Sequence, residues 1–235
     1  MGKAIQDYQE LITKRVATEG GQSVEHKRIP DHLRQQSKMN ITSLIHGSFG
    51  FVLEEDNANQ LDMFETPTRK ALGFITDLLQ EVADADGRIF EAKLDNLDAP
   101  IFQALKNFIS TLHKAGSTLR VAEERREIKL DTSSVDRAFN RVAHVNIEEN
   151  EDVVHGELLG LVPIQRRFDF RPSDVHEVIQ GRVAATLSAE YLNRIEKEGL
   201  IAGGLWRATI RTKNVRHPDR RHTSVSRILI DLVRL

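Results

Sequence analysis

The sequence predicts an α+β protein, with a helix-rich N-terminal domain carrying a short β-hairpin and a five-stranded β-barrel after it. Three observations carry this expectation. Before residue 147 apolar residues recur at helical spacing in long stretches; after residue 153 they alternate with polar ones or fall in short β-rich runs. Between the two lies Glu148-Glu149-Asn150-Glu151-Asp152, an acidic run with nothing to bury. The expected organisation is an α+β domain over 1–147, an acidic linker over 148–152 and a barrel domain over 153–235. At 235 residues the chain has room for two small cores.

Taken in order, Ile5, Tyr8, Ile12 and Val16, with Leu11 beside them, mark one face of a first helix that Gly20-Gly21 ends. Residues 22–38 carry His26, Lys27, Arg28, His32, Arg34 and Lys38 around Pro30 without a clear period. They predict an irregular stretch with a short helical turn after Pro30. Residues 39–55 are β-rich and predict either two strands about a tight turn or one long strand bulged at Gly47. Thr66-Pro67 starts a helix, because the Thr hydroxyl accepts from a first-turn N–H and Pro lacks one of the donors that would be orphaned there. Leu72, Ile75, Leu79 and Val82 line its buried face. Asp98-Ala99-Pro100 marks a second such start, followed by Ile101, Phe102, Leu105, Phe108, Ile109 and Leu112 and an end near Gly116. These two helices, antiparallel, are expected to form the first core. Residues 118–121 and 127–130 predict a small hairpin or edge strands. A last helix is expected over 131–143, with Val135, Ala138, Phe139 and Val142 on one side.

Beyond the acidic run, strands are expected at 153–162, 167–171, 177–183, 205–212 and 227–233, bounded by Pro163, Pro172, Gly199, Gly203, Gly204 and Pro218. A helix over 188–198 falls between the third and the fourth. This order of five strands, with the helix after the third, resembles the OB-fold, a small barrel that often binds oligonucleotides. The resemblance covers the last third of the chain and is one of fold, so function has to be argued from a site.

Composition narrows the function classes. Hydrophobic residues make up 40% of the chain and charged residues 29%, with both signs mixed, as in ordinary globular domains. The net charge of -2 gives no whole-molecule attraction for nucleic acid, so any such attraction must come from local clustering. Without cysteine there are no disulfides, thiolate metal sites or Cys nucleophiles, which fits a reducing compartment. No apolar run approaches the ~20 residues of a membrane span. The stretch from Met1 to Gln6 lacks the apolar core of a signal peptide, and Gln6 stands where a myristoylation signal needs Ser or Thr. The expected location is the cytoplasm, with no membrane partner.

Several stretches resemble chemical motifs and fail on spacing. Gly47-Ser48-Phe49-Gly50 matches half of a kinase glycine loop, but Ile45 occupies the first glycine's place and neither His-Arg-Asp nor Asp-Phe-Gly occurs. A nucleophile elbow fails there too, since His46 stands where the first Gly is needed. In Asp84-Ala85-Asp86-Gly87-Arg88-Ile89, placing Gly87 at the turn of a calcium loop puts Val82 and Lys93 at positions that require carboxylates. His26 with His32, and His217 with His222, are loosely spaced among cations and read as loop histidines. Glu123, Glu124 and Glu127 beside Arg125 and Arg126 read as a solvated turn. With no coherent constellation, the expected function is non-enzymatic, with no cofactor and no metal.

One cluster stands out. Around the connection between the fourth and fifth strands lie Arg207, Arg211, Lys213, Arg216, Arg220, Arg221 and Arg227, against the single acid Asp219. The connection between the first and second strands carries Arg166 and Arg167. In an OB-like barrel these two connections frame the ligand face, so a shared basic rim would attract phosphates and release counterions. Phe168 and Phe170 share one strand face, and Trp206 lies on the fourth strand. If that face is open they stack bases; if it is the barrel interior they are core, the ordinary fate of such a pair. The expected function is nucleic-acid binding, DNA or RNA, through Arg166, Arg167, Arg211, Lys213, Arg216, Arg220 and Arg221 on phosphates and Trp206 or Phe168 near bases. The alternative is a protein-interaction or assembly module, an adaptor or a self-associating subunit.

Overall fold

A computed structural model describes residues 2–19, 29–45, 50–55, 66–123, 126–198, 203–217 and 223–235. The chain divides into two compact units, Met1–Val145 and Asn146–Leu235. The first is helical with two small hairpins. Helix α1 (Gly2–Glu19) buries Tyr8, Leu11, Ile12 and Val16, the stripe expected from spacing. A short α2 (Asp31–Gln36) follows Pro30. Strands β1 (Met39–Ile45) and β2 (Gly50–Glu55) pair antiparallel, with an irregularity between Ile41 and Ser43; Gly47 lies outside the described residues, as do Gly20 and Gly21.

Helix α3 (Pro67–Ala83) begins as its sequence requires, with the Thr66 hydroxyl accepting from the Arg69 N–H at 3.1 Å. Next come α4 (Arg88–Leu94), which the periodicity did not announce, and α5 (Ala99–Lys114). Strands β3 (Leu119–Glu123) and β4 (Arg126–Leu130) form the expected hairpin. Helix α6 (Thr132–Ala143) is capped by the Asp131 carboxylate, which accepts from the Ser134 N–H at 2.7 Å.

The core differs from a simple antiparallel pair: α1 and α6 each pack on both α3 and α5. Ile75, Leu78, Leu79 and Val82 of α3 and Ile101, Leu105 and Phe108 of α5 are buried there, and the Tyr8 and Phe108 rings lie 5.5 Å apart. Burial pushes the Tyr8 phenol above its usual range, and the Glu123 charge adds to this. Two arginines of α6 satisfy the carbonyls left over at the end of α3. Arg137 donates to the Ala83 carbonyl at 3.2 Å, and Arg141 to those of Val82 at 2.8 Å and Ala85 at 3.0 Å.

The second unit holds β5 (Asn146–Val162), β6 (Arg167–Pro172), β7 (Ile179–Val183), α7 (Ala185–Glu198), β8 (Leu205–Arg216) and β9 (Ser224–Arg234). They pair in the closed order β5-β6-β7-β9-β8, β8 returning to β5; β7 pairs with β9 in parallel. Its core gathers Leu158, Phe168, Phe170, Val183, Leu187, Tyr191, Trp206, Ala208, Ile210 and Leu229. Two strand glycines make room for the rings. A Cβ on Gly156 would stand 2.8 Å from Phe170 Cε1 and would overlap the Arg171 carbonyl oxygen. On Gly181 it would stand 2.8 Å from Phe168 Cε1 and would overlap the Arg227 carbonyl oxygen.

The expected linker over 148–152 is corrected: these residues are part of β5, which opens at Asn146. The physical reason lies on the neighbouring strand. Register places Lys213 opposite Glu149 and Arg211 opposite Glu151, so the acidic run is held by cross-strand opposite charges and not by an apolar face. Strands β8 and β9 are correspondingly longer than the apolar pattern predicts, and Lys213 and Arg216 belong to β8 and not to a loop. Among the described residues no helix is long and apolar enough to cross a membrane.

Candidate nucleic-acid interface

Successive side chains of a strand point to opposite faces, and residues directly opposite one another on paired strands share a face. On β6 this sends Phe168 and Phe170 into the barrel and Arg167, Asp169 and Arg171 outward. On β7 Val183 points in, and Gln180 and Arg182 are exposed. The base-stacking roles of Phe168 and Trp206 are corrected: Phe168 is 2% and Trp206 0% exposed, and the Trp206 indole N–H donates inward to the Gly203 carbonyl at 2.7 Å. Both rings are needed to fill the small barrel, so neither is left for a ligand.

The basic residues divide into several groups. The turn from Pro163 to Arg166 folds back so that the Arg166 N–H donates to the Pro163 carbonyl at 3.1 Å. Arg166 has φ 52° and its Nε donates to the Val183 carbonyl at 2.9 Å, anchoring the turn to the end of β7. Arg167 is exposed beside it. Arg216 ends β8 opposite Asn146, whereas Arg167 begins β6 opposite Val162. These two cations therefore stand at the two ends of β5, and the single rim expected from the two connections is corrected to that extent. Lys213 is 5% exposed and faces Glu149 in register, so it is not presented to a ligand. Arg220 and Arg221 lie outside the described residues.

Closing the barrel produces a different convergence. Arg167 is opposite Arg182, Arg182 opposite Ile228, Ile228 opposite Arg211, and Arg211 opposite Glu151. Arg167, Arg182 and Arg211 thus lie in one cross-strand row on the outer face of β6, β7, β9 and β8. Neighbouring strands are about 4.8 Å apart, so the row spans about 14 Å along the sheet from Arg167 to Arg211. Glu151 holds the Arg211 end, accepting from Nε at 3.0 Å and from a terminal nitrogen at 2.7 Å. In the next row Asp169 faces Gln180, and beyond it Arg171 is paired with Glu157 at 3.0 Å.

Arg182 was not among the residues singled out by clustering, because it stands alone in its stretch of sequence. Its signal was the alternation of β7, which sets Arg182 outward once Val183 is core.

Several acids and one histidine described in the first unit serve local structure. Glu127 is held below the usual carboxylate range by hydrogen bonds from Arg120 and Lys129. Glu123 accepts from the Thr76 hydroxyl; Glu124 lies outside the described residues. The Asp86 carboxylate is held at about 2 chiefly by its hydrogen bonds from Arg88, and Asp84 accepts from the Asp86 N–H at 2.8 Å. His113 stacks on Phe139 with ring centroids 4.0 Å apart. Among the described residues no group of three or more His, Asp or Glu side chains is arranged to hold a metal ion. No known protein family matches the chain, and neither a curated protein nor a solved structure does so.

Proposed function

We propose that the second unit is an OB-type barrel and that the protein binds nucleic acid on the outer face of β6 and β7. The topology supports the first half of this reading. Five strands close in the order first, second, third, fifth, fourth, and α7 connects the third to the fourth. In barrels of that type the second and third strands carry the ligand face. The observation that carries the second half is the row in which register sets the exposed Arg167 and Arg182 opposite one another from separate stretches, with Arg211 at its far end held by Glu151. Such a row attracts phosphates and displaces their counterions. Filter binding of the full-length protein to DNA and RNA across a salt series tests it. Association that weakens linearly on logarithmic axes as salt rises is expected, and absence of association even at low salt would reject the reading.

A second reading, a protein-interaction or assembly module, is favoured by one observation. Val153, Leu205, Val233 and Leu235 are exposed on the wall formed by β5, β8 and β9. Light scattering after size exclusion tests it, with a mass above the 26.7 kDa of one chain expected if the wall joins two copies.

A further inference from the structure

Resting on the nucleic-acid reading, we infer that the ligand is the sugar–phosphate backbone itself, held by the exposed Arg167 and Arg182 without any base stacked on that face. Two independent observations lead there. The first is the inventory of rings: the second unit contains four Phe, Tyr or Trp side chains, Phe168, Phe170, Tyr191 and Trp206, all buried in its core, and its described histidines, His155, His176 and His217, lie outside β6 and β7. Barrels that grip single strands through their bases need rings on the surface, and each such stack contributes about 1–3 kcal/mol. No ring stands on the outer face of β6 or β7 to supply it.

The second is the chemistry of the face that remains. Its row of arginines offers planar donor forks suited to phosphate oxygens. The next row offers Asp169 and Gln180, and the carboxylate repels a polyanion, which confines the chain of phosphates to the arginine row. Contacts to phosphate and sugar fix position and carry no sequence information. Recognition at this face is therefore indifferent to base identity and to the presence of bases.

The experiment uses the full chain and fluorescence anisotropy at low salt. Three labelled probes longer than the roughly 4–16 nucleotides that one such barrel covers are compared: a thymidine oligonucleotide, an abasic oligonucleotide of the same length, and a duplex. The abasic probe is expected to bind within about threefold of the thymidine probe, whereas even one lost stack would weaken it about tenfold. The single-strand and duplex arms distinguish which form presents the phosphates, and base-independent binding of either supports the inference. The variant R167Q/R182Q, altered only at exposed side chains, is expected to weaken binding about tenfold or more and to lower the single-strand salt slope by about 1.4. Tenfold weaker binding of the abasic probe, or unchanged binding by the variant, overturns the inference and leaves nucleic-acid binding standing. Failure of all three probes removes both together.

Discussion

At the scale of single residues, the most informative contact is the fork between Arg211 and Glu151. It places a carboxylate where a phosphate would otherwise sit, so Glu151 competes with ligand for one end of the row. Glu151→Gln is expected to tighten nucleic-acid binding and to steepen the duplex salt slope by about 0.9, one additional phosphate contact; an anisotropy titration across salt reads both. Asp131 sets a pH dependence of a different kind. Hydrogen bonds from Ser134, side chain and N–H, and from the Ser133 hydroxyl hold its carboxyl at about 2, from an ordinary 3.8. A carboxyl whose folded value lies below its unfolded one contributes stability above the unfolded value and loses it as pH falls through the folded one. The cap of α6 is therefore expected to weaken between pH 3.8 and about 2. Thermal melts of the wild type and Asp131→Asn should converge as pH falls through that window. Caps of this sort are legible in sequence, as at Thr66 and Asp131, because a helix start is a local event. Arg182 was not legible as a site residue, because only its strand neighbours give it company.

At the scale of elements, the helices were readable because one apolar stripe decides them, and the strands where apolar residues alternate. Residues 146–152 were not, since the charges opposite Glu149 and Glu151 come from a strand some sixty residues later in the chain. No local rule makes Glu-Glu-Asn-Glu-Asp a strand. The alternation that identified β6 likewise left open whether Phe168 and Phe170 face ligand or core. The glycines answer this, for each ring packs over a position that has no Cβ. Gly181→Ala is expected to destabilise the barrel by about 1–3 kcal/mol, as overpacking does. Gly73→Ala, in the middle of α3 with open space around the added methyl group, is expected to stabilise by about 0.5–1 kcal/mol. Urea unfolding of the two variants measures both signs, and a neutral Gly181→Ala would contradict the packing described for β7.

At the scale of the whole molecule, the division after Val145 has a consequence for where the second unit can be cut. A chain spanning 146–235 keeps every pairing of β5 with β8 and is expected to unfold cooperatively on heating. A chain starting at residue 153, the boundary the apolar pattern suggests, loses the pairs from Asn146 to Asp152 and is expected to lack that transition by circular dichroism. The two chains differ only in residues 146–152, the run the sequence presents as linker and the two residues before it, so the comparison isolates their contribution. Within the same strand, Gly156 and Glu157 are paired on both sides, to β6 through Pro172 and Arg171 and to β8 through Trp206 and Leu205. They are the clasp of a hoop: parting the chain's hold there would let both flanks splay at once. Amide deuteration should accordingly find the flanks of β5 exchanging together, at a rate set by rupture of the entire ring and not by fraying from either tip.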